Sequence, residues 1–351
     1  MLKTSLLRLK RDLELIIQKS KPMKGIGTLK DNLKPFDRSG IDPKEVVILN
    51  HRDMDGYLSA ISVNLFFNGD TTMKDVQYNE PIDFDELKDK VVFIVDFSLP
   101  AADMVKVSKT AKKLYWIDHH IGAINKLKEE LSYNDLKNID GICCDGPSGC
   151  ELTWMYLNGG IKDIPATILI AGAYDTFRYN GEDTTERVIK KDLKFHEDFI
   201  MPMHYGFSKE FTNQSDISLQ LLTKSGGSLD SLYSDGKAIY QYKKKMANES
   251  VRVNAFLVEL EGIKLATMFN NCRGSAEFGD VVKESNAEAM LAIMPNDKGA
   301  YLSFYCDSGL PMNKVAESFG GGGHVEAAGA FVNKKILSSI HNKAQPLVFK
   351  V

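Results

Sequence analysis

The chain opens with leucines and isoleucines at mixed three- and four-residue spacing among lysines and arginines, "LKTSLLRLKRDLELIIQKS" from Leu2. That spacing predicts an amphipathic helix, followed to about residue 44 by a Gly/Lys/Pro-rich connector. A basic amphipathic helix can lie on a membrane or on nucleic acid, but packing against its own domain is the plainer expectation. From residue 45 short apolar runs alternate with helical spacing. "VVILN" (46–50), "VVFIVDF" (91–97), "KLYWID" (113–118) and "ATILIAG" (166–172) read as strands buried on both faces, with "DVQYN" (75–79) as a further strand. "GYLSAISVNLFF" and "AADMVKVSKTAKK" between them have helical spacing. This alternation predicts an α/β fold with a doubly wound, mainly parallel sheet.

Residues 181–255 are polar and rich in lysine and serine, and read as a mostly helical connector with a loop at Gly226-Gly227. From residue 256, "LVELEGIKLATMF", "AEAMLAIMPNDKGAYLSFYC" and "GAFVNK" predict strands and hairpins, and "MNKVAESF" a helix running into "GGGGH". That is a second, smaller α+β domain. No internal repeat is evident.

Composition narrows the class only a little. The 351 residues are 43% hydrophobic and 26% charged, with a net charge of −3, so no bulk basic field marks a long nucleic-acid partner. Five cysteines without a C-x-x-C pair suit free thiols in a reducing cytoplasm. Charges scattered through the first twenty residues exclude a signal-peptide core. The most apolar stretch, "IPATILIAGAY", has about half the length of a membrane span. A cytoplasmic location and no membrane partner are expected.

Candidate chemistry gathers at the strand ends. The first strand runs into His51, Asp53 and Asp55, the next ends at Asp96, another at Asp118-His119-His120, and the last reaches Asp175. In an open parallel sheet the carboxyl ends share one edge, where ligands bind. Carboxylates massed there without cations would repel one another and protonate, so the pattern points to divalent metal. A lone D-x-D-G is common in turns, and a lone Asp-His-His can be a helix cap. Four such pieces in register outweigh those readings.

"HRDMDG" (51–56), the Asp96 of "VDF", "DHH" (118–120) and the Asp175 of "AYD" resemble the four motifs of the DHH phosphoesterase family, and "FGGGGHVEAAG" (319–329) resembles the signature of its DHHA1 companion domain. The resemblance implies a DHH catalytic domain over 45–180, and leaves the helical extension over 1–44 and the connector over 181–255 unaccounted for. That connector would join the catalytic domain to a DHHA1 domain over 256–351, with the active cleft between the two domains. It also implies two divalent cations, Mn²⁺ preferred and Mg²⁺ the alternative. His51 and Asp53 would hold one, Asp55, His119 and Asp175 the other, and Asp96 would bridge them. Asp118 would stand behind His119 and fix its tautomer, while His120 would face the scissile phosphate as donor or acid.

The glycine run suits a backbone that approaches phosphate closely, so Gly321, Gly322, Gly323 and His324 are candidate substrate contacts, with Ser308 beside them. DHHA1 domains of this type often carry an Arg-Ser pair before the glycine run, but no arginine stands near Tyr305 or Cys306 here. Arg273 is the candidate replacement. Arg52 and Arg178 either contact phosphate or neutralise the acidic edge. Tyr305 or Phe278 could stack on a base, although a core role is the plainer reading, and His196 and His204 read as surface residues. The leading expectation is an oligoribonuclease of the bacterial nano-RNase type, acting on short RNA or DNA oligonucleotides. Linear or cyclic dinucleotides, pAp, long single-stranded DNA and a silent nucleotide-binding protein stay open, as does a homodimer.

Overall fold

β1 (Val46–His51), β3 (Val91–Val95) and β4 (Lys113–Asp118) are built mostly from apolar, β-branched and aromatic residues, which fit a pleated surface covered on both sides. With β2 (Thr72–Val76) and β5 (Ile139–Cys143) they form a parallel sheet in the order β2-β1-β3-β4-β5. Successive side chains enter two different cores. Val46, Ile48, Phe93 and Ile117 meet Ala60 and Val63 of α2 (Met54–Phe66) and Leu152 and Met155 of the helix Gly149–Asn158. Val47, Leu49, Ile94 and Trp116 meet Met104 and Val107 of α3 (Ala101–Thr110) and Ile124 and Leu127 of α4 (Ile121–Glu130). Helices thus cover both faces, and the strand order reverses between β1 and β3.

The computed structural model describes residues 2–19, 33–77, 80–176, 180–181, 190–191, 193–210, 226–269, 279–323 and 325–349. The chain forms two units, Met1–Lys237 and Ala238–Val351. A third core of the first unit is helical. Leu9 and Leu13 of α1 (Leu2–Lys19) are buried with Ile168 and Ile170, with Met203 and Phe207 of the helix Met201–Glu210, and with Leu229 and Leu232. The amphipathic helix therefore packs on its own unit.

Three readings of the pattern need correction. Residues 166–172 lie in the helix Ala166–Asp175, not in a strand. Thr167–Ala173 is buried on every side, so it carries no periodicity to separate helix from strand; Pro165, at the N-cap, was the available signal. The fifth strand is instead Ile139–Cys143, hidden by Asp140 and by Gly141 at φ +135°. Gly226 and Gly227 open the helix Gly226–Asn254 rather than forming a loop. His196 is buried and His204 half-buried, so neither is a surface residue. Cys143, Cys144 and Cys150 are free and buried, Cys306 is buried with its Sγ 3.3 Å from the Leu310 carbonyl, and Cys272 lies outside the described residues.

The second unit is a seven-stranded mixed sheet. Its order is Gly322–Gly323, Ala327–Asn333, Gly299–Tyr305, Ala289–Pro295, Ile263–Phe269, Phe256–Leu260 and Gln345–Pro346. One face buries Leu291, Leu302 and Phe304 under Met312, Val315 and Ile340. The other covers Met290, Ala266 and Met268 with Ala247, Val251, Val281 and Val282. The glycine run closes the helix Met312–Glu317: Gly320 N–H donates to the Glu317 carbonyl and Gly321 N–H to the Ala316 carbonyl, each at 2.9 Å. Gly320 takes the left-handed φ of +77° that this ending requires. A Cβ on Gly321 would sit 2.0 Å from the Gly329 oxygen. Those two N–H groups are thus committed to the helix end and are not presented to an anion. Among the described residues no helix is long and apolar enough to cross a membrane.

Candidate metal centre

β1 ends at His51, and the chain turns at once into α2. Asp53 caps that helix, accepting the Gly56 N–H at 2.9 Å through Oδ1, while its Oδ2 meets His51 Nδ1 at 2.7 Å. Glycine is required at 56, because a Cβ there would lie 2.3 Å from the His51 carbonyl oxygen. Asp55, one residue into the helix, is buried and held from outside. Its Oδ2 accepts Gly149 N–H at 2.7 Å and its Oδ1 accepts Cys150 N–H at 2.9 Å. Both donors open the helix Gly149–Asn158, where N–H groups have no partner of their own.

Asp96 follows β3 with φ +55°, a left-handed conformation that costs energy in a non-glycine residue, and its N–H donates to the Ile117 carbonyl at 2.8 Å. Gly149 leaves room for it: a Cβ at 149 would lie 2.5 Å from Asp96 Cβ and Oδ1. Asp118 closes β4. Its Oδ1 accepts the His119 N–H at 2.7 Å, the His120 N–H at 3.1 Å and lies 2.8 Å from His120 Nδ1, while Ser98 Oγ donates to Oδ2. The expectation that Asp118 stands behind the His119 ring is therefore corrected, since Asp118 orients His120. Asp175 arrives as the last residue of the helix Ala166–Asp175.

These elements converge. His119 Nε2 lies 3.2 Å from Asp96 Oδ1, 3.3 Å from Asp175 Oδ2 and 3.6 Å from Asp55 Oδ2. Donor atoms of His51, Asp53 and Asp96 fall within 4.8 Å of one another, as do those of Asp55, His119 and Asp175; Asp96 also groups with His119 and His120. Both Asp96 oxygens, His119 Nε2 and Asp175 Oδ2 are buried without a hydrogen-bond partner. Such orphans are costly. Burial and the neighbouring carboxylates push Asp96 and Asp175 well above the usual carboxylate range. Burial holds the His119 imidazole below its ordinary value, hence neutral, the form that ligates metal. Unpaired carboxylate oxygens and a neutral imidazole facing one another fit divalent cations.

His120 and Asp118 behave differently. Burial opposes charge on both, but their hydrogen bond and mutual attraction win, raising His120 to about 9 and holding Asp118 at about 2. Burial raises Asp53 too, yet His51 and the Gly56 N–H keep it below the usual range.

Residues 45–174 match the DHH family, N-terminal domain. This stretch is a DHH domain. No protein of curated function matches the chain in sequence. Among solved structures, a DHH-domain protein described as a member of the S1p family of ribosomal proteins superposes with a TM-score of 0.53 at 15% identity, over 97% of this chain and 90% of the other. At that identity the likeness concerns the fold. RecJ from Thermus thermophilus in complex with Mn²⁺ gives a TM-score of 0.48 at 10% identity, over 97% of this chain and 54% of its own. The pGpG-specific phosphodiesterase PggH from Vibrio cholerae gives 0.41 at 12% identity, over 85% and 99%.

The first unit brings together all eight residues expected there, Asp175 standing one residue past the matched stretch. Of the others, Gly321, Gly322, Gly323 and the exposed Ser308 belong to the second unit. Arg273, His324, Arg178 and Phe278 lie outside the described residues. Arg52 is engaged by Asp75 and by Glu80, at 3.0 Å for the latter, and so neutralises an acidic edge. Tyr305 is half-buried against the Met290 core. Ser98, Gly149 and Cys150 escaped the sequence reading. Ser148 and Glu151 do spell a capping box in sequence, but its service to Asp55 depends on a contact across more than ninety residues.

Proposed function

We propose that this chain is a divalent-cation-dependent phosphodiesterase that hydrolyses short single-stranded oligonucleotides to nucleoside monophosphates. The observation that carries the reading is Asp96, whose two buried, unpartnered oxygens belong to one donor group with His51 and Asp53 and stand beside a second of Asp55, His119 and Asp175. His51 and Asp53 would hold one cation, Asp55, His119 and Asp175 the other, and Asp96 would serve both. Mixed imidazole and carboxylate donors favour Mn²⁺ over Mg²⁺. When bound, such a pair acidifies the attacking water and stabilises charge on the phosphoryl oxygens.

The side chains supply the rest. Asp118 accepts the Nδ1 proton of His120, leaving Nε2 as the atom that addresses the phosphate. Held by Asp118, His120 is placed to give the departing ribose oxygen the proton it needs when water adds to phosphorus and the P–O bond breaks. Ser98 holds the far oxygen of Asp118 and so keeps the pair aligned. Gly322, Gly323, His324, Ser308 and Arg273 are the proposed substrate contacts of the second unit, whereas Gly321 serves the helix end. The net charge of −3 argues against long polymers and for short ones. Free, buried thiols suit a cytoplasmic setting.

The test is a panel of di- to 24-mer RNA and DNA, cyclic dinucleotides and pAp, incubated with Mn²⁺ and read by mass spectrometry. Rates falling steeply with length support the reading, and exclusive turnover of pAp overturns it. Asp96→Asn should lower hydrolysis of bis-p-nitrophenyl phosphate at least about a hundredfold, the scale of losing an electrostatic element aimed at the transition state.

A further inference from the structure

Among the described residues, part of one face of the second unit's sheet stays uncovered. Met290 and Ala292 on this face are buried, but the strand register sets Met294 opposite Tyr301 and Tyr301 opposite Phe331, and these three are 43%, 51% and 44% exposed. The two rings pack edge to face, 5.1 Å between centroids at 62°. Each is therefore held by its neighbour while about half of it stays open. Next along the same face come Ser303 and Gly329, paired across the strands, both small and half-buried. A Cβ at Gly329 would meet only the Leu302 oxygen, at 3.3 Å, so the floor beside the rings is low. Beyond it stand Tyr305 and Ala327, next to the glycine run.

Charge at the same end of the strands decides what the rings receive. Gly299 pairs with Asn333, which brings the turn carrying Lys298 beside Lys334 and Lys335, the first residues of the helix Lys334–His341, whose Ile340 packs on the opposite face. All three lysines are exposed, and among the described residues none is engaged in an ion pair. One acid, Asp297, stands against them in the turn. Exposed aromatics on neighbouring strands with a cationic rim suit unpaired bases, since every base has a face to stack and brings a phosphate with it. An apolar protein partner would gain nothing from the lysines.

We infer that the row Met294, Tyr301 and Phe331 is a stacking platform for unpaired bases of a single-stranded oligonucleotide, with Lys298, Lys334 and Lys335 neutralising its phosphates. It rests on the oligonucleotide-hydrolase reading and adds a base-binding subsite to it. The platform reads bases without regard to sequence. From Tyr305 to Tyr301 the strand advances about 14 Å, so the subsite takes bases beyond those next to the glycine run.

The experiment uses the full chain and a fluorescein-labelled hexanucleotide, followed by anisotropy in EDTA so that no turnover occurs. The double variant Tyr301→Leu, Phe331→Leu keeps apolar bulk but removes both rings, and its Kd should rise about tenfold or more. Tyr301→Phe should bind as wild type does. An abasic strand of the same length should bind wild type and double variant equally weakly. Lys298→Ala should lower the slope of log K against log salt by about one. Wild-type hydrolysis of bis-p-nitrophenyl phosphate by the double variant, with an unchanged thermal melt, shows that the chemistry and the fold are intact. An unchanged hexanucleotide Kd in the double variant overturns the platform while leaving the hydrolase reading standing. Absence of metal-stimulated turnover in wild type overturns that reading, and the anisotropy still decides the platform. Conversion of a dimer to a monomer with binding unchanged makes the face a contact between two copies and overturns the platform.

Discussion

At the scale of single residues, the site depends on what is missing as much as on what is present. Gly149 has no side chain where Asp96 needs space, and its N–H holds Asp55. Gly149→Ala places a methyl group 2.5 Å from Asp96 Cβ and Oδ1, so the carboxylate must move. Displaced supporting groups typically cost about 10- to 100-fold in metal affinity or activity. We expect Mn²⁺ affinity, measured by titration calorimetry, to fall by that much while the far-ultraviolet circular dichroism stays unchanged. Gly122→Ala is the control, because nothing lies within 4 Å of its added carbon. Asp96 makes the complementary point. Its left-handed φ of +55° is an expense tolerated where a carboxylate must face two donor groups at once.

At the scale of elements, the helix Ala166–Asp175 links stability to the site. Its sides bury Ile168 and Ile170 against α1, and its last residue is Asp175. Leu13 of α1 is fully buried in that cluster, whereas Leu7 is 62% exposed. Leu13→Ala should therefore destabilise the first unit by about 2–5 kcal/mol in a urea titration, and Leu7→Ala should leave the midpoint nearly unmoved. The loop–helix junction at Ser148 has a comparable role. Its capping box, with Ser148 N–H on Glu151 Oε2 at 3.1 Å, fixes the turn whose free N–H groups reach Asp55. A helix N-terminus here serves a carboxylate of the same chain rather than a substrate anion.

At the scale of the whole molecule, the massed acids make stability depend on pH and on metal. In the metal-free protein Asp96 and Asp175 keep their protons well above the range in which an unfolded chain, near pH 4, loses them. The folded state then binds more protons, so their contribution is full below about pH 4 and is lost as pH rises through the raised values. His120, raised to about 9, adds stability below about pH 6.5 that is lost as pH climbs through 9. Asp118, held at about 2, acts in the opposite sense: its contribution is present above about pH 4 and lost as pH falls towards 2. His119, held below its ordinary value, acts in the same sense as Asp118 up to about pH 6.5, so the melting temperature of the EDTA-treated protein should decline between about pH 6.5 and pH 8.5. Added Mn²⁺ should raise it, and most at the alkaline end, because the cations take the place of the protons. A metal-free melting temperature that rises across this window would contradict the arrangement.

How much of this was legible in the chain follows from the range of the forces involved. The runs at 46–50, 91–97 and 113–118 announce buried strands because burial on both faces demands unbroken apolar residues. His51, Asp53, Asp55, Asp96 and Asp118 to His120 follow those runs directly, so a shared sheet edge could be inferred from local pattern alone. The run at 166–172 could not be typed, because a helix buried on all sides and a buried strand leave the same apolar signature. The pairing of Asp118 with His120, the support of Asp55 by Gly149 and Cys150, and the side-by-side row of Met294, Tyr301 and Phe331 are matters of tertiary structure. Local sequence determined the elements and the ligand types, since secondary structure and strand-end position depend on neighbours a few residues away. Which groups meet was decided by packing and register between distant segments, because a hydrogen bond or a shared cation depends on separations of a few ångströms that no local pattern records.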